Sequence, residues 1–298
     1  MTDSQEPSTK KTVLVTGGAG FIGSHLCERL VAEGHQVISL DNYFTGSREN
    51  QVPGVEYREG HTKDIETRVP ESPDLVYHLG EYSRTAIAIE EPFIVWDLNI
   101  LGTIGVLEFC RKKGGKLIYA GSSTKFADAR EDGVLGRDLS PYTWSKASNT
   151  ELVRNYHAWY DLHYAIVYFY NVYGPRELAG KYGTVIETFR QNLIQGLPLK
   201  VNGPGTQERI YTHVYDTVNA LVLVGEKGEG DEYGIASEDK YSTKEVATLF
   251  GGEIEMMPPR RTSRPSAVVN AEKTKALGWK QQYRLTDYIE SFKEKPVY

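Results

Sequence analysis

Tyr142 and Lys146, four positions apart in the run Tyr-Thr-Trp-Ser-Lys, could together move a proton at neutral pH. A phenol in water ionises only near about pH 10, so a lone tyrosine is a poor base. An ammonium one helical turn away stabilises a phenolate, and this spacing puts both groups on one face if a helix begins near Tyr142. Upstream, Gly121-Ser122-Ser123-Thr124 follows the apolar run Lys116–Ala120, where a hydroxyl can hydrogen-bond the reacting oxygen. Nearer the N-terminus, Gly17-Gly18-Ala19-Gly20-Phe21-Ile22-Gly23 follows Thr12-Val13-Leu14-Val15. Glycines let a chain turn sharply from strand to helix and let a diphosphate approach the backbone. Asp41 ends the next apolar run, where a carboxylate suits ribose hydroxyls. These groups describe a nicotinamide dinucleotide held beside a basic tyrosine, and so hydride transfer at a carbinol carbon. With Asn42 next to Asp41 and no arginine alongside, a 2′-phosphate would face a carboxylate, so NAD is expected over NADP; Arg48 is close enough to keep NADP open. Asp64-Ile65 either borders the adenine or makes a turn.

The elements that must position these groups alternate. Strands are expected at Thr12–Thr16, Gln36–Leu40, Leu75–Leu79, Lys116–Ala120 and Ala165–Tyr170, with helices at Phe21–Glu33, Leu98–Lys112 and Ser145–Tyr160. Such alternation implies a Rossmann-type, doubly wound parallel sheet in an α/β fold. After Asn171, glycines and prolines punctuate shorter elements, with helices at Thr184–Gln195, Tyr215–Gly225, Ser242–Phe250 and Thr286–Phe292. They suggest a smaller mixed α/β C-terminal lobe over the sheet's carboxyl edge. Residues 11–172 are assigned to dinucleotide binding, with a return near 210–236. The lobe takes 173–209 and 237–298, and residues 1–10 form a loose polar tail.

The 298-residue chain has a formal net charge of -6, which argues against a general nucleic-acid binder. Its two cysteines, Cys27 and Cys110, fall in helical segments without metal-ligand spacing and are expected to be buried thiols. No metal site is expected. No apolar stretch approaches the length of a membrane span, and no signal sequence precedes the first strand, so a cytoplasmic location is expected.

The glycine run with Ser24-His25-Leu26, the Ser/Thr cluster, Tyr-x-x-x-Lys and Asn171-Val172-Tyr173-Gly174-Pro175-Arg176 together resemble the extended short-chain dehydrogenase/reductases. Within them the chain is similar to the NAD-dependent sugar-nucleotide epimerases and dehydratases, such as the UDP-glucose 4-epimerases, from Thr12 to about Asp287. The resemblance implies that Tyr142 is the base and acid, with Lys146 beside the nicotinamide ribose. Ser122 aligns with the catalytic Ser/Thr, counting back from Phe126-Ala127, and Ser123 is the runner-up. Gly17, Gly20, Phe21, Ile22, Gly23, Asp41, Asn42, Asp64, Ile65, Leu79, Gly80 and Asn99 would border NAD. Ser83, Thr124, Asn171, Arg209 and Arg264 would border a nucleoside-diphosphate sugar. For Arg209, in the family-like Arg-x-x-x-His-Val stretch, and for Arg264, a surface salt bridge is the alternative. The family commonly dimerises through two helices matching Leu98–Lys112 and Ser145–Tyr160, so a homodimer is implied.

Two departures matter. The family's 4,6-dehydratases carry Asp-Glu directly after the catalytic Ser/Thr; here Ser123-Thr124 stand there, which favours C4 epimerisation over dehydration. The family's His-Leu-Ala-Ala reads His78-Leu79-Gly80-Glu81. Glu81 either contacts substrate and moves a proton beside a transient ketone, or pairs with Arg84 to brace the loop. His78 and His213 are expected to pack. The alternatives are dehydration or another 4-keto-dependent reaction on the same scaffold and, in a different class, a silent NAD-binding sensor or partner protein.

Overall fold

The computed structural model describes residues 10–123, 133–259 and 270–294. The first nine residues, Thr124, Phe126-Ala127 and the arginines 260, 261 and 264 lie outside the described residues. In chain order the strands are β1 (Thr12–Thr16), β2 (Gln36–Asp41), β3 (Val55–Glu59), β4 (Leu75–His78), β5 (Lys116–Ser122), β6 (Tyr164–Phe169), β7 (Asn171–Tyr173), β8 (Leu199–Asn202), β9 (Glu208–His213), β10 (Gly230–Ile235), β11 (Lys240–Ser242) and β12 (Ile254–Met257).

Seven of them form one sheet in the order β10-β6-β5-β4-β1-β2-β3, with every pairing parallel. The parallel pairs are joined by crossovers over the faces, and the central strands β1, β2, β4, β5 and β6 are buried through their middles, while the edge strand β3 is not. Val13, Leu14 and Val15 of β1 are fully buried, as are Leu117, Ile118 and Tyr119 of β5. Strand order reverses between β1 and β4, whose register places Thr16 beside His78. Their carboxyl ends open a crevice at that switch point, the place where such sheets bind ligands.

A second group of elements has its own core. Tyr173, Ile186, Phe189, Leu199, Val201, Val246, Phe250, Leu285 and Ile289 pack together. They come from the helices Val185–Ile194, Thr243–Phe250 and Leu285–Glu294, from the β8–β12 pair and from the β11-β9-β7 sheet. The helix Val214–Lys227 and β10 then carry the chain back to the large sheet.

Two helices begin earlier than the apolar periodicity suggests, each at a proline. Pro141–Tyr160 starts at a Ser140 cap whose Oγ accepts from Thr143 N at 3.2 Å, while Thr143 Oγ1 accepts from Ser140 N at 2.9 Å. The other runs from Pro92 to Lys113, 22 residues with an apolar mean, and includes a π-helical stretch at Trp96–Leu101. It corrects the expectation that no apolar stretch approaches membrane-span length. Half of it is buried inside the fold, which accounts for the apolarity of that face.

Candidate active site

The glycine run turns β1 into the helix Phe21–Ala32. Gly17 has φ +74°, and a Cβ there would lie 2.9 Å from Gly80 Cα. A Cβ on Gly23 would fall 2.0 Å from Gly17 O, so the helix could not seat against the loop. Gly20 caps the helix without a side-chain hydrogen bond, which leaves its first N–H groups for a phosphate. Asp41, 6 % exposed, accepts from Ala19 N at 2.9 Å and from Tyr43 N at 2.8 Å. Burial pushes its carboxyl up, and those two amides oppose the shift. Arg48 is turned to Glu59 at 2.6 Å and lies over the Tyr43 ring, so it serves no phosphate beside Asp41 in this arrangement.

One cavity is lined by Gly17, Gly20, Phe21, Ile22, Gly23, Asp41 and Asn42 at one end, and by Leu79, Gly80, Glu81, Ser83, Ser122, Ser123, Tyr142, Lys146 and Asn171 further along. Ser140 and Pro141 fix the first turn of the second helix, and that places Tyr142 over the end of β5. Its hydroxyl lies 3.4 Å from Ser122 Oγ. Lys146, one turn on, is 5 % exposed; its ammonium bonds Ala120 O and Glu81 and lies over the Tyr119 ring. Asn171 reaches the cavity while its Nδ2 donates to Ile210 O at 2.8 Å.

Several residues assigned to NAD or substrate are not among those that line the cavity. Asn99 is fully buried and does not border the cavity. Its side-chain amide accepts from Tyr82 N at 2.7 Å and donates to Tyr82 O and Ser145 Oγ, so it anchors the loop that carries Glu81. Asp64 belongs to a short 3-10 turn, Ile65 lies in the main core, and neither is among the residues that line the cavity. Arg209 sits on β9 two residues before Tyr211, the residue paired with Asn171; it is bonded to Gln207 Oε1 and Glu208 O and is not among the cavity's lining residues. Thr124 and Arg264 lie outside the described residues.

Glu81 does not pair with Arg84 as its bracing alternative required. It pairs with Lys146, and Arg84 instead donates to Tyr182 O at 2.5 Å and to Ser83. Arg84, Tyr182 and Thr184 line the cavity, a place the sequence reading did not give them. The Arg84 guanidinium is held below its ordinary value by burial, opposed by the nearby Glu177 and Tyr142. His78 is bonded on both ring nitrogens, to Thr16 and Thr103, and burial holds it down to about 4. His213 is also held to about 4 by burial; it accepts from Tyr215 N and stacks on Tyr283. Both are neutral packing residues at neutral pH.

A parallel switch-point crevice with a glycine turn, a carboxylate after β2 and a Tyr/Lys/Ser group defines an NAD-dependent enzyme of the nucleotide-sugar type. The chain belongs to the NAD dependent epimerase/dehydratase family, which it matches over residues 13–236. It is 33% identical to the UDP-N-acetyl-alpha-D-glucosaminuronate decarboxylase of Bacillus cytotoxicus, over 80% of this chain and 78% of that protein. It is 29% identical to the UDP-glucose 4-epimerase of Mycolicibacterium smegmatis, over 93% of this chain and 95% of that one. Among solved structures, the Thermus thermophilus UDP-glucose 4-epimerase complexed with NAD superimposes with a TM-score of 0.83 at 30% identity, covering 93% of this chain and 96% of that chain.

Proposed function

We propose that this protein inverts C4 of a nucleoside-diphosphate sugar through a transient 4-keto intermediate. The observation that carries the proposal is the Tyr142 hydroxyl 3.4 Å from Ser122 Oγ, one turn from Lys146, in the same cavity as the glycine turn. Bound NAD supplies a hydride acceptor that gives the hydride back within one turnover. Tyr142 takes the proton of the C4 hydroxyl as the carbonyl forms and returns it when the carbonyl is reduced on its other face. Ser122 donates to the C4 oxygen and holds it on the tyrosine. Lys146 holds its ammonium one helical turn from Tyr142, as a donor for the nicotinamide ribose. Asp41 takes the adenosine ribose, and Asn171 borders the sugar-nucleotide end.

Dehydration of C6 requires an acid to expel the hydroxyl, and Ser123, buried beside Ser122, provides none. Decarboxylation, the reaction named for one relative, also starts from a 4-keto sugar and is the second reading. Incubation with a panel of nucleotide sugars, followed by NMR of the products, separates these. A C4 epimer supports the proposal. A 6-deoxy-4-keto sugar or release of carbon dioxide refutes it.

We also propose a homodimer. The helices Pro92–Lys113 and Pro141–Tyr160 expose Phe93 (80%), Leu101 (50%), Trp144 (43%) and Trp159 (59%) on the outside of the fold. Trp96 and Trp144 bridge the two helices with ring centroids 5.6 Å apart. A continuous apolar face on two adjacent helices is suited to a second copy of the same pair.

A further inference from the structure

Glu81 stands where the family it resembles carries alanine, and the structure gives it an unusual setting. Its side chain is 4% exposed and its carboxylate faces the Lys146 ammonium, itself 5% exposed. Three further donors surround it: Thr103 Oγ1 at 2.9 Å, Asn149 Nδ2 at 3.0 Å and Tyr119 OH at 3.2 Å. Every group bonded to this carboxylate is a donor.

The direction of the surrounding hydrogen bonds agrees. Gly80 N donates to Thr16 Oγ1, Thr16 to His78 Nδ1, and His78 Nε2 to Thr103 Oγ1, which leaves the Thr103 proton for Glu81. That assignment uses each hydroxyl once as donor, and it fixes the neutral imidazole in one tautomer. Glu81 is thus built into the floor of the cavity, at the end of a polar chain that begins at its own neighbour Gly80.

Two consequences follow for Lys146. An ammonium has three N–H donors, and Glu81 and Ala120 O take two of them, so one remains for the cavity. The positive charge that Lys146 brings to the site is also cancelled by its partner. The oxidised nicotinamide ring is a cation and the reduced ring is neutral, so a net positive pocket disfavours the oxidised form. We infer that Glu81 is a positioning residue: it holds the Lys146 ammonium in place, cancels its charge, and so biases the site toward the oxidised form of the cofactor. For an enzyme that must hand its hydride back each turnover, this bias keeps the resting state ready to accept one. The inference rests on NAD occupying the cavity beside Lys146 and does not depend on which sugar reaction follows.

The test reads binding, not turnover. NADH affinity is measured by fluorescence titration of the whole chain, and NAD affinity by competition, for the native protein and for Glu81→Gln. At an effective dielectric of about 20, a unit charge acting over about 10 Å changes the preference for a cation by about tenfold. The ratio of NADH to NAD dissociation constants should therefore fall about tenfold in Glu81→Gln. Tyr119→Phe removes one donor but no charge, and should leave the ratio where it is. If Glu81→Gln does not fold, Glu81→Ala makes the same charge change with the family's own side chain. A ratio unmoved by removal of the carboxylate, or moved equally by Tyr119→Phe, overturns the inference. A structural role alone would weaken both cofactor forms by the same factor.

Discussion

Glu177 should make the fold less stable as the pH rises through neutrality. It follows the Asn171–Arg176 segment, is 8% exposed, and neither carboxyl oxygen has a hydrogen-bond partner among the described residues. Burial pushes its carboxyl from 4.5 up to about 9; Arg84 and, more weakly, the backbone at Gly174 and Thr184 oppose the shift, and Glu187 adds to it. The folded protein thus keeps this group protonated at neutral pH, while the unfolded chain releases the proton. A carboxyl raised in the folded state contributes its stability fully below the unfolded value and loses it as pH climbs through the folded one. Between pH 5 and pH 8 the native state holds about one proton more than the unfolded state, a loss of roughly 3–4 kcal/mol at about 1.36 kcal/mol per unit. Glu177→Gln replaces the neutral acid by a neutral amide of the same shape and removes this dependence. Urea denaturation of both proteins at pH 5 and pH 8 checks it. The variant should match the native protein at pH 5 and exceed it by roughly 3 kcal/mol at pH 8. Neutral buried histidines such as His78 and His213, both held to about 4, titrate alike in both proteins and cancel in the difference. Parallel stability curves over that range would refute the reasoning, because they would mean that Glu177 is charged or paired in the fold.

Other outcomes follow from the same geometry. Tyr142→Phe should fold and bind NAD but lose turnover by about a thousandfold, as judged by product NMR after prolonged incubation. Gly23→Ala forces a Cβ to within 2.0 Å of the Gly17 carbonyl oxygen, and should cost roughly 2 kcal/mol in denaturation together with most NAD affinity. Leu101→Asp puts a charge on the exposed apolar helix face and should give a monomer by light scattering, with cofactor binding retained.

Much of this arrangement was legible in the residues. Apolar runs of strand length between amphipathic stretches gave the parallel sheet, because strands buried on both faces leave continuous hydrophobic segments. The glycine turn was legible because its steric requirement is local: Gly17 and Gly23 meet within the loop itself. Helix starts were less so. Apolar periodicity begins only after the first turn, and the better guides were Pro92 and Ser140-Pro141, which favour helix N-termini on their own chemistry. Some contacts between residues distant in the chain were not legible. Glu81 had a near neighbour in Arg84, yet it found Lys146, because β4 and the Pro141–Tyr160 helix converge on the floor of the cavity. The bonds of the Asn99 amide to the Tyr82 backbone, across 17 residues, were not legible either. Glu177 drew no notice because nothing in its local sequence signals burial.

The most direct test of the central claim is the fate of the hydrogen on C4. A nucleotide sugar that the protein converts is prepared with deuterium at C4, and the product is followed by NMR and mass spectrometry in ordinary water. Hydride removal and return within one turnover predicts a C4 epimer that keeps its deuterium at C4, with no solvent hydrogen entering C4 or C5. Loss of the label to water, or solvent exchange at C5, would contradict the account.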